Sequence, residues 1–238
     1  MIRLLLADDH AAIRAGMRLM LEQAADIVVV GEAADGAVAI RQAAVLRPDV
    51  VLMDIRMPGT DGITATRAIT AAGVSDVLIL TTFDFDDYLF GALRAGAAGF
   101  LLKSVEPHAL IDAVRRVADG DGFLAPEVTR RLLAAFAATP PTPPARPVAA
   151  GPASPAGPGP AGLAVSAGPA TTAGVAALTA RERDVLAALG RGLSNADLAA
   201  ELAISEATAK THVSRVLGKL GCTSRVQAAI LAKETGLA

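Results

Sequence analysis

Three short apolar runs in this chain each stop on a charged side chain. Ile2-Arg3-Leu4-Leu5-Leu6-Ala7 meets Asp8-Asp9, Val50-Val51-Leu52-Met53 meets Asp54, and Gly99-Phe100-Leu101-Leu102 meets Lys103. A fourth run, near 76–81, closes on the hydroxyl of Thr81, and a fifth reads near 27–32. Between the runs, residues 11–24, 36–46, 61–72, 86–96 and 107–119 repeat their apolar side chains at helical spacing, as in Ile13, Met17, Met20 and Leu21. Continuous apolar strands alternating with helices specify a parallel sheet covered on both faces, and right-handed crossovers leave an α/β doubly wound five-stranded sheet. An open sheet of this kind collects its chemistry at the carboxyl ends of its strands, where these charged residues fall.

The rest of the chain divides into two parts. Ten of the 14 prolines fall between positions 140 and 169, among Ala, Gly, Ser and Thr and with almost no charge. Such a stretch buries too little to offset its ordering entropy, so residues 139–177 are expected to form a flexible linker spanning roughly 35 Å. A trailing helix is expected over 121–138, between a first domain at 1–120 and a second at 178–238. The second domain reads as four short helices: Thr179-x-x-Glu182 is a capping box, Ser194 and Ser205 cap the next two, and Gly221 ends the third. In that third helix Ala209, Val213, Val216, Leu217 and Leu220 share one face. Thr211, Ser214 and Arg215 therefore point outward, with Lys210 and His212 on the flanks.

Charge follows the same division. Residues 1–137 hold 13 Lys and Arg against 18 Asp and Glu, whereas 178–238 hold 8 against 6. An acidic front and a mildly basic rear suggest different partners. Cys222 is the sole cysteine, which excludes an intrachain disulfide and suits a small buried hydrophobe. No secretory h-region precedes Asp8, and the long uncharged stretch is too broken by Pro and Gly to span a bilayer, so a cytoplasmic protein without membrane contact is expected.

Asp8, Asp9 and Asp54 would lie together at the sheet edge. Two carboxylates about 4 Å apart repel by about 1 kcal/mol in water and about 4 kcal/mol at an effective dielectric near 20, so the cluster calls for a cation. Oxygen ligands favour Mg²⁺, which bridges carboxylates and phosphate oxygens. With charge so offset, one carboxylate can attack phosphorus and become an aspartyl phosphate, Lys103 pairing with the transferred group and Thr81 donating its hydroxyl to it.

The order Asp8-Asp9, Asp54, Met57-Pro58-Gly59-x-Asp61-Gly62, Thr81, Gly96-Ala97-x-Gly99-Phe100 and Lys103 resembles bacterial response-regulator receiver domains, over residues 1 to about 120. The resemblance implies a flavodoxin-like fold. It also implies that Asp54 accepts a phosphoryl group from a sensor histidine kinase, and that Asp8, Asp9, Asp54 and the backbone carbonyl of Arg56 bind Mg²⁺. Thr81 and Phe100 would then be the switch pair. Residues 178–238 resemble a LuxR-type helix-turn-helix through Leu178–Leu186, Gly192–Ala199, Ser205–Val213 and Lys219-Leu220-Gly221, with Ala209 where the family usually has Val. Together the halves resemble the NarL/FixJ class of response regulators: phosphoryl-accepting transcriptional regulators rather than enzymes.

On that reading the third helix enters the major groove of a double-stranded DNA operator. Lys210 would reach guanine or phosphate, Thr211 a thymine methyl, Ser214 and Arg215 extend the contact, and Thr208 and His212 meet phosphates. So few basic residues imply weak binding by one unit, hence a homodimer on activation, with Val226 to Leu231 as the contact between reading heads. The long linker argues against rigid docking of the two domains. Two rival classes fit less well: a haloacid-dehalogenase-like phosphatase needs an Asp where Arg56 stands, and a flavin-binding protein needs a hydroxyl-rich loop where Asp8-Asp9-His10 stands. A third, a DNA binder whose first domain answers a ligand instead of phosphate, is opposed by the complete acid cluster.

Overall fold

A computed structural model describes residues 1–81, 86–124 and 174–238 of the chain. Of the trailing helix expected over 121–138, residues 121–124 are not helical, and the remainder lies outside the described residues with most of the expected linker. The first domain runs β1 (Ile2–Ala7), α1 (Ala11–Leu21), β2 (Ile27–Ala33), α2 (Gly36–Leu46), β3 (Val50–Asp54), α3 (Gly62–Ala71), β4 (Asp76–Thr81), α4 (Asp86–Arg94), β5 (Gly99–Leu102) and α5 (Pro107–Ala118). A further short strand, β6 (Phe123–Leu124), follows. The sheet is parallel throughout and ordered β2-β1-β3-β4-β5-β6.

The expected doubly wound architecture is therefore present, with six strands instead of five. The sixth escapes the sequence because two residues carry no periodicity. It is held by pairing of Phe123 with Gly99, and the Arg116 guanidinium stacks over the Phe123 ring at 5.7 Å from its centre. Alternation along the strands supplies both cores. From β3, Val51 and Met53 pack toward α2, α3 and α4 with Ala39, Ala65 and Leu93. Val50 and Leu52 point the other way, toward Met17 and Leu21 of α1 and Leu110 and Val114 of α5.

The strand order reverses direction at β1, so β1 and β3 are neighbours while the chain leaves them for opposite faces. The resulting crevice at their carboxyl ends receives Asp8, Asp9 and Asp54. Asp61 caps α3 by accepting from the Thr64 N–H at 2.7 Å. Gly62, the first residue of α3, packs so closely under the Asp54 strand end that a Cβ there would lie 1.9 Å from the Asp54 carbonyl oxygen.

The second domain contains α6 (Ala180–Gly190), α7 (Asn195–Leu202), α8 (Glu206–Leu220) and α9 (Arg225–Glu234). Thr179 and Glu182 form the expected capping box, and Ser194, Ser205 and Ser224 cap the other three helices. Lys219 and the Thr179 N–H hold the Glu182 carboxylate well below its usual range, at about 2. Ala209, Val213, Val216 and Leu220 turn inward onto Val185, Leu186 and Leu198. The last residues of the expected linker are ordered: Val175 lies in a helical turn packed on this core. No described helix is long and apolar enough to cross a membrane.

Contrary to the expectation of a wandering reader, the second domain is seated on the first. Val226 of α9 is buried in the first domain's cluster with Leu93 and Phe100. Leu231, expected to face a second reader, lies inside the second domain's own core. Substituting Gly62→Ala forces a backbone rearrangement under Asp54, and the urea unfolding midpoint of the first domain should fall by an amount worth about 2–3 kcal/mol.

Candidate functional site

An open cleft of about 710 Å³ sits at the carboxyl edge of β1, β3 and β4, bordered by Asp9, His10, Asp54, Arg56, Thr81 and Lys103. At its floor the Lys103 ammonium lies 2.7 Å from Asp8 Oδ2 and 2.7 Å from Asp54 Oδ2. Both carboxylates are almost fully buried, at 1% and 5% exposure. The Lys103 N–H donates to the Thr81 carbonyl, so β5 carries its lysine to the end of the strand that carries Thr81. Burial alone would lower the Lys103 ammonium, but its bonds to Asp54 and Asp8 outweigh this and leave it above the usual lysine range.

Asp54 moves upward too. Burial pushes its carboxyl above the usual range, against the pull of Lys103, and Asp8 adds repulsion. The two directions agree once the charges are counted. One cation shared by two buried anions is stabilised by both, whereas each anion receives part of a cation and the repulsion of the other. With Asp9 the cluster carries two more negative than positive charges.

That imbalance is a physical argument for a divalent cation. The donors are carboxylate oxygens, as Mg²⁺ prefers, and Asp9 Oδ1 is shielded from solvent with no well-aligned donor. The described chain also brings His10 Nδ1 to 2.6 Å from Asp9 Oδ1, and Asp8, Asp9 and His10 offer ligand atoms within 4.8 Å of one another. The residues present fit the metal.

The expected site residues separate into two groups. Asp8, Asp9, Asp54, Arg56, Thr81 and Lys103 are brought together; the Arg56 backbone N–H faces the Asp54 carboxylate. Phe100 does not reach the cleft: its ring is 1% exposed, in the core between β5 and α4. His10 and Tyr88 also stand at the rim. Nothing in the spacing singles out Tyr88, the chain's only tyrosine, although His10 adjoins Asp9 directly.

On α8, Thr208, Thr211, Ser214 and Arg215 are exposed and Lys210 and His212 are half-exposed, as the helical spacing predicts. The docked arrangement changes what they face. A cavity of about 370 Å³ between the domains is lined by Lys210 and Ser214 on one side and Asp76, Asp119 and Asp121 on the other. Lys210 Nζ lies 3.3 Å from Asp119 Oδ1. The Arg225 guanidinium pairs with the Asp121 carboxylate, both largely buried, and Asp121 also accepts from the Asn195 N–H at 3.0 Å. Burial pushes Asp76 up to about 6 and the Cys222 thiol up to about 11, which makes that cysteine a poor nucleophile at neutral pH.

Because its carboxyl is raised, Asp54 costs stability when ionised. The cost is absent below its unfolded value, where both states are protonated, and is complete above its folded value. Asp54→Asn should therefore raise the denaturation midpoint at neutral pH, and the gain should vanish on acidification toward pH 4. Millimolar Mg²⁺ should narrow the gap by stabilising the wild type more than the variant.

Residues 4–115 match the family of response regulator receiver domains, and residues 176–232 match the luxR family of bacterial regulatory proteins. The uncharacterized transcriptional regulatory protein YxjL of Bacillus subtilis is 37% identical over 238 residues, covering 99% of this chain and 97% of that protein. The nitrate/nitrite response regulator protein NarL of Escherichia coli is 33% identical, covering 95% of this chain and 93% of NarL. Among solved structures, the response regulator ChrA of a heme-sensing two-component system is 40% identical over 100% of this chain and 98% of its own, with a TM-score of 0.50. With an acid cluster at the receiver's switch point and a helix-turn-helix behind it, this chain belongs to the two-component response regulators of the NarL/FixJ class, transcriptional regulators that join a receiver to a LuxR-type DNA-binding domain.

Proposed function

We propose that Asp54 is the phosphoryl acceptor of this regulator, that a sensor histidine kinase is the donor, and that acceptance frees the DNA-reading helix α8. The observation that carries the first part is Lys103 Nζ lying 2.7 Å from both Asp8 and Asp54 at the floor of an open cleft. A carboxylate oxygen of Asp54 attacks phosphorus. The bond from phosphorus to the donor histidine nitrogen breaks, its electron pair remains on the ring, and that nitrogen takes up a proton. Lys103, with Asp8 still beside it, then faces a dianionic group in place of the single charge of Asp54, and Thr81, at the end of the adjacent strand, offers its hydroxyl to the same group. Mg²⁺ held by Asp8, Asp9, Asp54 and the Arg56 carbonyl would supply the positive charge that offsets the attacking and transferring oxygens.

The docked structure supports the second part. Lys210 and Ser214 of the reading helix face the receiver's carboxylates, so the same side chains cannot meet DNA while the domains are seated. Asp119 pairs with Lys210, a side chain read as a contact to guanine or phosphate, and so competes with DNA for it. Phosphorylation then acts as a population shift from a seated to a released reader, and two released readers bind half-sites as a homodimer. On this reading the protein works in the cytoplasm, with receiver and reader over residues 1–120 and 178–238, joined by a segment long enough to let the reader leave.

Intact-mass analysis after incubation with Mg²⁺ and a small phosphodonor should show one added phosphoryl group on the wild type and none on Asp54→Ala. An unmodified wild type would overturn the proposal. Asp121→Ala leaves the buried Arg225 with carbonyl and amide acceptors but without its carboxylate in the seated form, so it should raise DNA affinity of the unphosphorylated chain by about tenfold in gel-shift titrations. An unchanged affinity would show that seating does not restrain the reader.

A further inference from the structure

The seated form depends on a second contact, far from the acid pair, at the C-terminal end of α4. A helix end leaves its last carbonyls without intrahelical donors; in α4 that of Leu93 accepts from the Gly96 N–H at 3.0 Å, and the next two depend on side chains from elsewhere. Here Gln227 Nε2 of α9 donates to the carbonyls of Leu93 and Arg94, at 2.9 and 3.2 Å. Gln227 is itself oriented by Thr223, whose N–H and hydroxyl donate to Gln227 Oε1 at 2.8 and 3.1 Å. The next carbonyl, that of Ala95, accepts from the Thr70 hydroxyl of α3 at 2.6 Å, and no other donor to it occurs among the described residues. Two foreign side chains, one from α3 and one from the reader, thus finish the same helix end.

The turn between them is tight. Gly96 has φ +96°, and a Cβ there would lie 2.1 Å from Thr223 Oγ1 and 2.9 Å from Thr70 Oγ1. The Thr70 and Thr223 hydroxyls therefore both crowd the space that a side chain at position 96 would take. At its other end, α3 starts against the acceptor: Gly62 N–H donates to the Ile55 carbonyl at 2.8 Å, just beyond Asp54. The buried Thr66 hydroxyl donates to the Gly62 carbonyl at 2.7 Å, and Thr70 Oγ1 lies 2.9 Å from the Thr66 carbonyl. A threonine hydroxyl has one proton. Thr70 can give it across to Ala95 or back to Thr66, but not to both, and the shorter distance marks the crossing bond as the one made in the seated form.

We propose that Thr70 is a positioning residue for the seated reader: by donating to the Ala95 carbonyl it fixes the 94–97 turn on which Thr223 and Gln227 sit. It also gives α3, which begins under Asp54, a second route to the reader besides Thr81 and Phe100. A shift of the β3–α3 connection moves Gly62 and the α3 axis, turns the Thr70 proton back toward Thr66, and leaves the helix end without one of its caps. The inference rests on the reading that seating withholds the reader from DNA, but the geometry it invokes can be tested without DNA.

The test is the distance distribution between spin labels on an exposed α2 site and an exposed α6 site of the full chain, with and without Mg²⁺ and beryllofluoride. Without the phosphate mimic, Thr70→Val, which keeps the shape and removes the donor, should raise the released fraction about fivefold over wild type, the equivalent of one ordinary hydrogen bond. Thr70→Ser, which keeps the donor, should restore the wild-type distribution. Gln227→Ala should release the reader as well, and the double variant should release it by less than the product of the two single effects, since both cap one helix end. A Thr70→Val distribution equal to wild type, or a Thr70→Ser distribution equal to that of Thr70→Val, would overturn the inference. A wild type that stays seated with the mimic bound would count against phosphate-driven release, whereas the comparison of the Thr70 variants without the mimic decides the role of Thr70 by itself.

Discussion

The structure is organised around a shared lysine. Lys103 reaches the bottom of the cleft from β5 and lies 2.7 Å from carboxylates carried by β1 and β3. The bond ties together strands that are not all neighbours in the sheet, and it compensates only part of the negative charge it meets. That deficit gives the site its chemistry. Burial, with a smaller repulsion from Asp8, raises the Asp54 carboxyl, while the deficit invites a divalent cation and keeps an ammonium where a dianionic phosphoryl group would arrive. A fully neutralised cluster would be more stable and less responsive.

The second organising feature is that charge on the receiver faces the reader as well. Asp119 and Asp121, at the far end of α5, occupy Lys210, Arg225 and the Asn195 N–H. The contact is buried at Arg225, where a broken pair is expensive, and exposed at Lys210, where it is cheap. Seating therefore rests mainly on Arg225, on Val226 in the apolar cluster beside Phe100, and on Gln227 at the end of α4. These three consecutive residues of α9 span an ion pair, an apolar contact and a helix cap. Each reports a different part of the receiver to the same helix.

Much of this was legible in the chain. The strands end where their apolar runs end, and once a parallel sheet is accepted the positions of Asp8, Asp54 and Lys103 follow from topology, because strand ends are its one shared edge. The outward face of α8 follows from helical period. What the sequence withholds is of two kinds. β6 is too short to have a pattern and is held by its neighbours. The seating of the reader depends on pairs such as Asp121 and Arg225, which are 104 positions apart and belong to no periodic face. The sequence places Val226 at a contact between two reading heads, and only the structure shows that it joins a core belonging to the other domain. The Pro-rich segment argues for freedom of movement, and length alone does not say whether two domains meet.

The central claim is that Asp54, and no other carboxylate of the cleft, becomes an acyl phosphate. Borohydride reduces an aspartyl phosphate to homoserine and leaves free carboxylates unchanged. After treatment with Mg²⁺ and a phosphodonor, peptide mass analysis should locate homoserine at position 54 alone, and its yield should fall sharply without the metal. Homoserine at position 8 or 9, or none anywhere in a chain shown to be folded, would contradict the account.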